Sequence, residues 1–181
     1  MRTSPASGKT VLFERTLVLC KPDAVARGLV GRVIQKLEDA LLTMVGMKMV
    51  WPTPELIGHH YHDVTERHNV AAYEATVQFM CSGPVVALVL EALGVVDKVR
   101  SMIGSTWPQV AMPGTIRGDF AHQPRVSHHT AVNLVHASAT VPEACTEIEL
   151  WFRPDELHPH RLAAADFASL TPISPTKAPR S

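Results

Sequence analysis

Cysteine is scarce in this sequence, aromatic residues are few, neither sign of charge is in excess, and no apolar run is long. Each shortage excludes something. Cys20, Cys81 and Cys145 are odd in number, far apart and in no C-x-x-C pair, which fits neither a disulfide framework nor a structural zinc site. A reducing compartment is the expectation, and the cytoplasm the expected location. Lys plus Arg (17) equal Asp plus Glu (17), so no global field recruits nucleic acid or anionic lipid. Aromatics at 6% add no stacking surface, and no nucleic-acid partner is expected. No apolar stretch approaches the roughly 20 residues that a membrane-spanning helix needs, and a chain with 46% apolar residues is globular rather than disordered. At 181 residues it is one domain, or one domain with a tail, able to bury about 70% of its unfolded surface.

Composition divides the chain. Met1 to Val11 is free of acids and carries Arg2, Lys9 and several Ser and Thr, a composition shared with transit peptides. Residues 1–13 are read as a flexible extension, with organellar import as the alternative. Pro154, Pro159, Pro172, Pro175 and Pro179 crowd the other end, which turns Ala/Ser/Thr/Pro-rich after Asp166 and cannot bury enough to offset its ordering entropy. The domain is therefore drawn at 14–158, with 159–181 as an arm or tail.

Within the domain, Thr16 to Cys20 is a β-favouring run that stops at Lys21-Pro22-Asp23. Asp23 can cap a helix in which Val25, Leu29, Val33, Leu37 and Leu41 recur every four residues, with Gly28 and Gly31 hinting at close packing. Val45 to Trp51 alternates as a second strand. Pro54–Tyr61 and Ala71–Cys81 read as helices, Val85–Leu90 as a central strand, Val95–Ile103 as a helix, and Gly104 to Thr130 as loop. Val132–Val135 reads as the last strand, and Thr140-Val141-Pro142-Glu143 as a capping box opening a helix with Ala144, Ile148 and Trp151 inward. The order β-α-β-α-β-α-β suggests a ferredoxin-like α+β sandwich, with a four-stranded antiparallel sheet and helices that can lie on one face. A doubly wound parallel sheet is the competitor that periodicity does not separate.

Polar motifs stand at two strand ends: Lys21-Pro22-Asp23 after the first and His136-Ala137-Ser138 after the last. A sheet holds such positions rigidly, as active groups require, although singly Lys21 reads as a turn lysine and His136 as one of ten histidines. Arg100, Thr106 and Arg117 bring two guanidinium forks and a hydroxyl into loop country, groups that suit phosphate oxygens. No Gly-rich phosphate loop is present, so a bound phosphate would be held by side chains. His59, His60 and His62 read as a polar helix face; His59 and His62 lack a third ligand, and no metal site is assigned.

Six blocks then align in order over 14–158: Glu14-Arg15-Thr16-Leu17, Lys21-Pro22-Asp23-Ala24-Val25, Arg27-Gly28-Leu29-Val30-Gly31, Ser82-Gly83-Pro84-Val85-Val86-Ala87, Pro113-Gly114-Thr115-Ile116-Arg117-Gly118-Asp119-Phe120, and Asn133-Leu134-Val135-His136-Ala137-Ser138. Together they resemble nucleoside diphosphate kinase. The resemblance implies a ferredoxin-like fold and ping-pong transfer of the γ-phosphate of ATP to a nucleoside diphosphate through a phosphohistidine. By resemblance His136 is the nucleophile, since a neutral imidazole can attack phosphorus at physiological pH. Glu147 holds its other ring nitrogen, and Ser138 bonds the histidine or its phosphate. Lys21, Arg100 and Arg117 neutralise phosphates, Thr106 and Tyr61 add hydroxyl donors, and Asn133 bonds the sugar. Mg2+ arrives on the nucleotide phosphates, and a tetramer or hexamer of identical chains is implied.

Three features depart from the family pattern. Ala137 and Ala139 replace a glycine and an aspartate, and Ala137 is strained if that site needs φ > 0. The family's base-stacking stretch becomes Arg67 to Tyr73, leaving Tyr73 as the aromatic available to stack. The loop 121–130, with His122, His128 and His129, is longer than usual in a region that shapes subunit contacts. A catalytically weakened nucleotide-binding or signalling protein is the alternative these departures raise.

Overall fold

Two apolar runs, Leu17 to Cys20 and Val85 to Leu90, lie side by side at the centre of the fold, and every side chain in both is buried. In the computed structural model, which describes residues 2–3, 10–11, 13–62, 70–121 and 132–160, they are the cores of strands β1 (Phe13–Cys20) and β3 (Val85–Leu93). Strand β2 (Thr43–Val50) pairs with β3, and β4 (Val135–Ala137) with β1. All pairings are antiparallel, in the order β2-β3-β1-β4, with Leu17 opposite Val89 and Cys20 opposite Val86. This is the ferredoxin-like arrangement; the antiparallel ladder disposes of the doubly wound competitor. A separate two-residue pairing joins Arg2–Thr3 to Thr10–Val11.

The helices are α1 (Pro22–Ala26), α2 (Val30–Asp39), α3 (Pro54–His60), α4 (Val70–Met80), α5 (Val95–Ile103), α6 (Ile116–Phe120) and α7 (Val141–Trp151). They cover both faces of the sheet, where the sequence suggested one. Val18, Cys20, Val86, Leu88 and Leu90 pack under α1, α2, α5 and α6 through Ala24, Val33, Leu37, Val99 and Ile116. Leu17, Leu19, Val85, Ala87 and Val89 pack under α3, α4 and α7 through Ile57, Met80, Ile148 and Trp151. Burial on both faces explains why these strands read as continuous apolar runs without alternation.

Local chemistry moves several boundaries. The helix expected from Asp23 to Leu41 is broken in two, because Gly28 adopts φ +64° and closes α1 with bonds from its own N–H to Val25 O (3.0 Å) and from Leu29 N to Ala24 O (2.9 Å). Leu41 ends α2 in the same way at φ 59°, so the last member of the four-residue stripe lies exposed. Neither Gly28 nor Gly31 is closely packed: a Cβ at either meets nothing within 4 Å. Trp51 lies beyond β2 and is exposed. The stretch 104–120, expected as loop, contains a 3-10 turn (Pro108–Val110) and α6, whose start Thr115 caps by accepting from Gly118 N. Glu143 Oε2 accepts from Ala139 N rather than from the Thr140 N–H, while Thr140 Oγ1 accepts from Glu143 N, so the capping box is shifted by one residue. The chain after α7 returns to the sheet edge, where His158 N donates to Val45 O and Leu157 and Phe152 press on Gly46. The stretch 161–181, the histidine loop from His122 and the segment 63–69 lie outside the described residues.

Two glycine substitutions separate open space from tight contact. Gly31→Ala, inside α2, should stabilise the protein by about 0.5–1 kcal/mol through lost unfolded-state freedom. Gly118→Ala drives a Cβ into the backbone carbonyl of Met112 and should cost about 1–3 kcal/mol. Urea unfolding of both variants against the parent checks the sign of each.

Candidate active site

The site begins where β1 ends. Lys21 sits extended at the N-cap of α1 and Pro22 occupies the first helical position, where a missing N–H costs nothing. Asp23, expected to cap the helix, does something else: its Oδ2 accepts from Leu134 N at 3.0 Å, while Lys21 N donates to Leu134 O at 2.8 Å. Leu134 is thereby clamped at φ 71°, one of two positive-φ non-glycine residues among those described. The bend turns Asn133 inward. Its Oδ1 accepts from Lys21 Nζ at 2.8 Å and its Nδ2 donates to Thr106 O at 2.7 Å; a lysine facing the amide settles which end is oxygen.

Arg117 enters from α6 and is held by three carbonyls: Nη2 donates to Val135 O (2.7 Å), Nη1 to Gly104 O (2.9 Å) and Nε to Asn133 O (3.3 Å). Exposed Arg100, at the end of α5, donates to Ala137 O at 3.4 Å. The cations repel. Burial first, and then Arg117, pull the Lys21 ammonium from 10.5 to about 7, with Asp23 opposing. Burial and Arg100 pull Arg117 down to about 10, still charged at neutral pH. A pocket that holds cations at this cost is matched to an anion with several oxygens.

His136 lies within β4, not after it as the sequence suggested, because the strand runs Val135–Ala137. Its Nε2 is 2.8 Å from Glu147 Oε1 on α7, and Ser138 Oγ donates to Glu147 Oε2 at 2.6 Å. Ser138 also accepts from Leu17 N at 3.2 Å, so its hydroxyl joins the carboxylate to the sheet. The hydroxyl thus serves Glu147 and not the histidine ring. A carboxylate only accepts, so the imidazole proton is on Nε2 and the lone pair on Nδ1.

Sequence reasoning missed His60. It was read as part of a polar helix face, yet it is buried, while His59 is exposed and His62 bonds the His59 carbonyl through Nδ1 at 3.0 Å. The signal was present in its i,i+3 spacing from Ile57, which puts both on the inward face of α3. The His60 ring lies edge-on to those of Tyr61 and His136, each with a centroid separation of 4.5 Å. Ligand-type atoms of His60, His136 and Glu147 lie within 4.8 Å of one another, a grouping with the donors to hold a metal ion that the sequence reading did not single out. Tyr61 lies 5.9 Å from His136, ring to ring. Thr106 contributes its carbonyl to Asn133, and its side chain is exposed. Tyr73 stands apart: its hydroxyl lies against Gly58 between α4 and α3, and no ring contact to His136 is found among the described residues. Ala137 is in ordinary strand conformation, so the strain weighed for it does not arise.

The family model described as nucleoside diphosphate kinase matches residues 14–157. The nucleoside diphosphate kinase of Columba livia is 44% identical over 154 residues, covering 85% of this chain and 95% of that protein. That of Thermus thermophilus is also 44% identical, over 80% of this chain and 99% of its own length. Among solved structures, a transition-state mimic of the Borrelia burgdorferi kinase with bound vanadate and ADP aligns with a TM-score of 0.81 at 34% identity, covering 85% of this chain and 95% of that one. A Halobacterium salinarum nucleoside diphosphate kinase in complex with CDP aligns at 0.76 and 37% identity, over 86% and 98%.

The buried ammonium has a pH signature. Between its folded value of about 7 and the ordinary 10.5, the unfolded chain holds a proton that the folded chain has released, so this group makes stability rise with pH across that window. Below pH 7 the full burial cost of the charge is present. Relative to Lys21→Met, the parent should therefore be least stable near pH 6 and gain steadily towards pH 10, as read by denaturant unfolding at each pH.

Proposed function

The chain belongs to the nucleoside diphosphate kinase family, and we propose that this phosphotransferase works through a phosphohistidine formed at Nδ1 of His136. The observation that carries the reading is the 2.8 Å contact between His136 Nε2 and Glu147, itself held by Ser138. With its proton engaged by the carboxylate, the ring offers the Nδ1 lone pair to the γ-phosphorus of a bound magnesium–ATP. A P–N bond forms, the P–O bond to the β-phosphate breaks, and the diphosphate leaves with the electron pair. Positive charge spreads into the imidazole, and Glu147 balances it through the Nε2–H. An incoming nucleoside diphosphate then reverses the step, its terminal oxygen attacking the same phosphorus, so one nucleophile serves both halves.

The chain's other residues supply charge and position, which phosphoryl transfer mostly requires. Lys21, Arg117 and Arg100 face the phosphates, with hydroxyl donors at Tyr61 and Thr106. A phosphate beside Lys21 favours its charged form, so binding near neutral pH takes up a proton. Asn133 reaches the sugar by exchanging its bond to Lys21, and Tyr73 is the candidate for the base. The convergence of cations rather than carboxylates fits a magnesium ion carried by the nucleotide. Free thiols at Cys20, Cys81 and Cys145 support a reducing, cytoplasmic setting.

We also infer a homo-oligomer. Edge strand β2 presents Met47 and Met49, both 60% exposed, with Trp51 at 67% beyond it, an apolar edge of the kind proteins usually cover. Light scattering should give a mass several times that of one chain, and Met47→Glu with Met49→Glu should lower it.

Incubation with magnesium and ATP should add one phosphate to the intact mass, removed by brief acid. His136→Asn should show neither the adduct nor any exchange between ATP and GDP. Glu147→Gln should keep the adduct but form it about 10–100-fold more slowly, the usual loss when a partner that orients a functional histidine is removed. An unmodified parent with full exchange activity would refute the mechanism.

A further inference from the structure

The mechanism above uses Glu147 and Ser138 and leaves a buried imidazole unexplained. The side chain of His60 is 0% exposed, on the last turn of α3, and sits between the nucleophile and α7. Trp151 Nε1 donates to His60 Nδ1 at 3.2 Å. An indole nitrogen can only donate, so Nδ1 carries the lone pair and the His60 proton is on Nε2. The same Nδ1 is 3.5 Å from Glu147 Oε1, the atom that receives the His136 proton. The ring of His136 meets that of His60 at a centroid separation of 4.5 Å and an angle of 77°.

We propose that His60, locked by Trp151 as the neutral Nε2–H tautomer, is a positioning residue for His136. The inference rests on the reading of His136 as the nucleophile. The His60 Nδ1 lone pair is taken by Trp151 Nε1–H, which fixes the His60 ring, while Glu147 Oε1 takes the hydrogen on His136 Nε2. Shifting that hydrogen to Nδ1 would leave the Nε2 lone pair of His136 against the Glu147 carboxylate and would close the nucleophilic nitrogen. The edge-on ring contact also resists rotation of His136 about its side-chain bonds. Trp151 does a second job: it occupies the lone pair on which His60 would otherwise take a proton. A second cation there would lie against an imidazole that becomes positive during transfer. The groups facing His60 are Glu147 and Trp151 from α7, His136 from β4 and Tyr61 from its own element, and Glu147 is the acid among them. None of this requires His60 to touch the nucleotide.

The first test uses the full-length parent protein. Long-range proton–nitrogen NMR at pH 7 should show His60 as a neutral ring protonated on Nε2, with its Nδ1 shifted in Trp151→Phe. A ring protonated on Nδ1, or on both nitrogens, would overturn the proposal whatever the kinetics. The second test is single-turnover phosphorylation by magnesium–ATP. His60→Phe keeps a flat ring but loses the acceptor that ties it to Trp151, and should phosphorylate about 10–100-fold more slowly with the nucleotide KM unchanged. His60→Gln, whose carbonyl can accept from Trp151, should recover part of the rate. A rate equal to the parent's in His60→Phe, or a loss confined to KM, would sink the positioning role. If the parent itself takes no phosphate on His136, the underlying mechanism fails; if it does and His60→Phe is as fast, this inference alone fails.

Discussion

The site depends on one strained turn. Leu134 is a fully buried, γ-branched residue held at φ 71°, a conformation that costs an L-residue about 1–2 kcal/mol. It persists because both of its backbone polar groups are claimed by the turn after β1: its N–H by Asp23 and its carbonyl by Lys21 N. Releasing the strain would free two buried backbone groups, which costs more than the strain itself. The bend sends Asn133 towards Lys21 and sets the register in which β4 pairs with β1, placing His136 opposite Leu19. Two segments more than a hundred residues apart are thus one structural unit.

Electrostatics follow from this geometry. The junction buries an ammonium beside a guanidinium: burial and then Arg117 pull Lys21 below its ordinary value, and burial and then Arg100 pull Arg117 below its own. The fold supplies partial compensation through Asp23, through the carbonyls around Arg117 and through the Asn133 amide. What remains is a demand for negative charge that a polyphosphate can satisfy. The acids of the site are committed elsewhere: Glu147 to His136 and Ser138, Asp23 to Leu134. Cations converge on the junction while carboxylates hold His136 and the backbone. On the proposed mechanism, that division leaves the cations for highly charged substrates and the carboxylate for the imidazole.

The two helical layers have separate tasks. The layer of α1, α2, α5 and α6 carries Arg100 and Arg117, the cations the proposed mechanism assigns to the phosphates. The layer of α3, α4 and α7 carries Glu147, His60 and Trp151 and backs the nucleophile. His136, on the three-residue edge strand β4, turns its side chain to Glu147, His60 and Tyr61 of the second layer. Gly104, at φ +81° against Thr115, lets the chain pass closely enough for Arg117 to bind its carbonyl.

Local signals carried much of this. Apolar runs located the central strands, since burial on both faces leaves no alternation to obscure them. Proline and glycine marked most element ends within a few residues; the motif blocks singled out Lys21, Arg117, Asn133, His136 and Ser138, and the resemblance added Glu147, all of which the fold gathers around one junction. What sequence could not supply was anything set by long-range partners. Strand order and direction, the second helical layer and the shifted strand around His136 come from pairing across distant segments. So do the left-handed Leu134, the role of Asp23 and the inward turn of His60. The sequence by itself determined which residue types are available and which short segments they build, because propensity and periodicity act over a few residues. Tertiary structure alone decided what those side chains face, because burial and hydrogen-bond partnership are properties of neighbours far away in the chain.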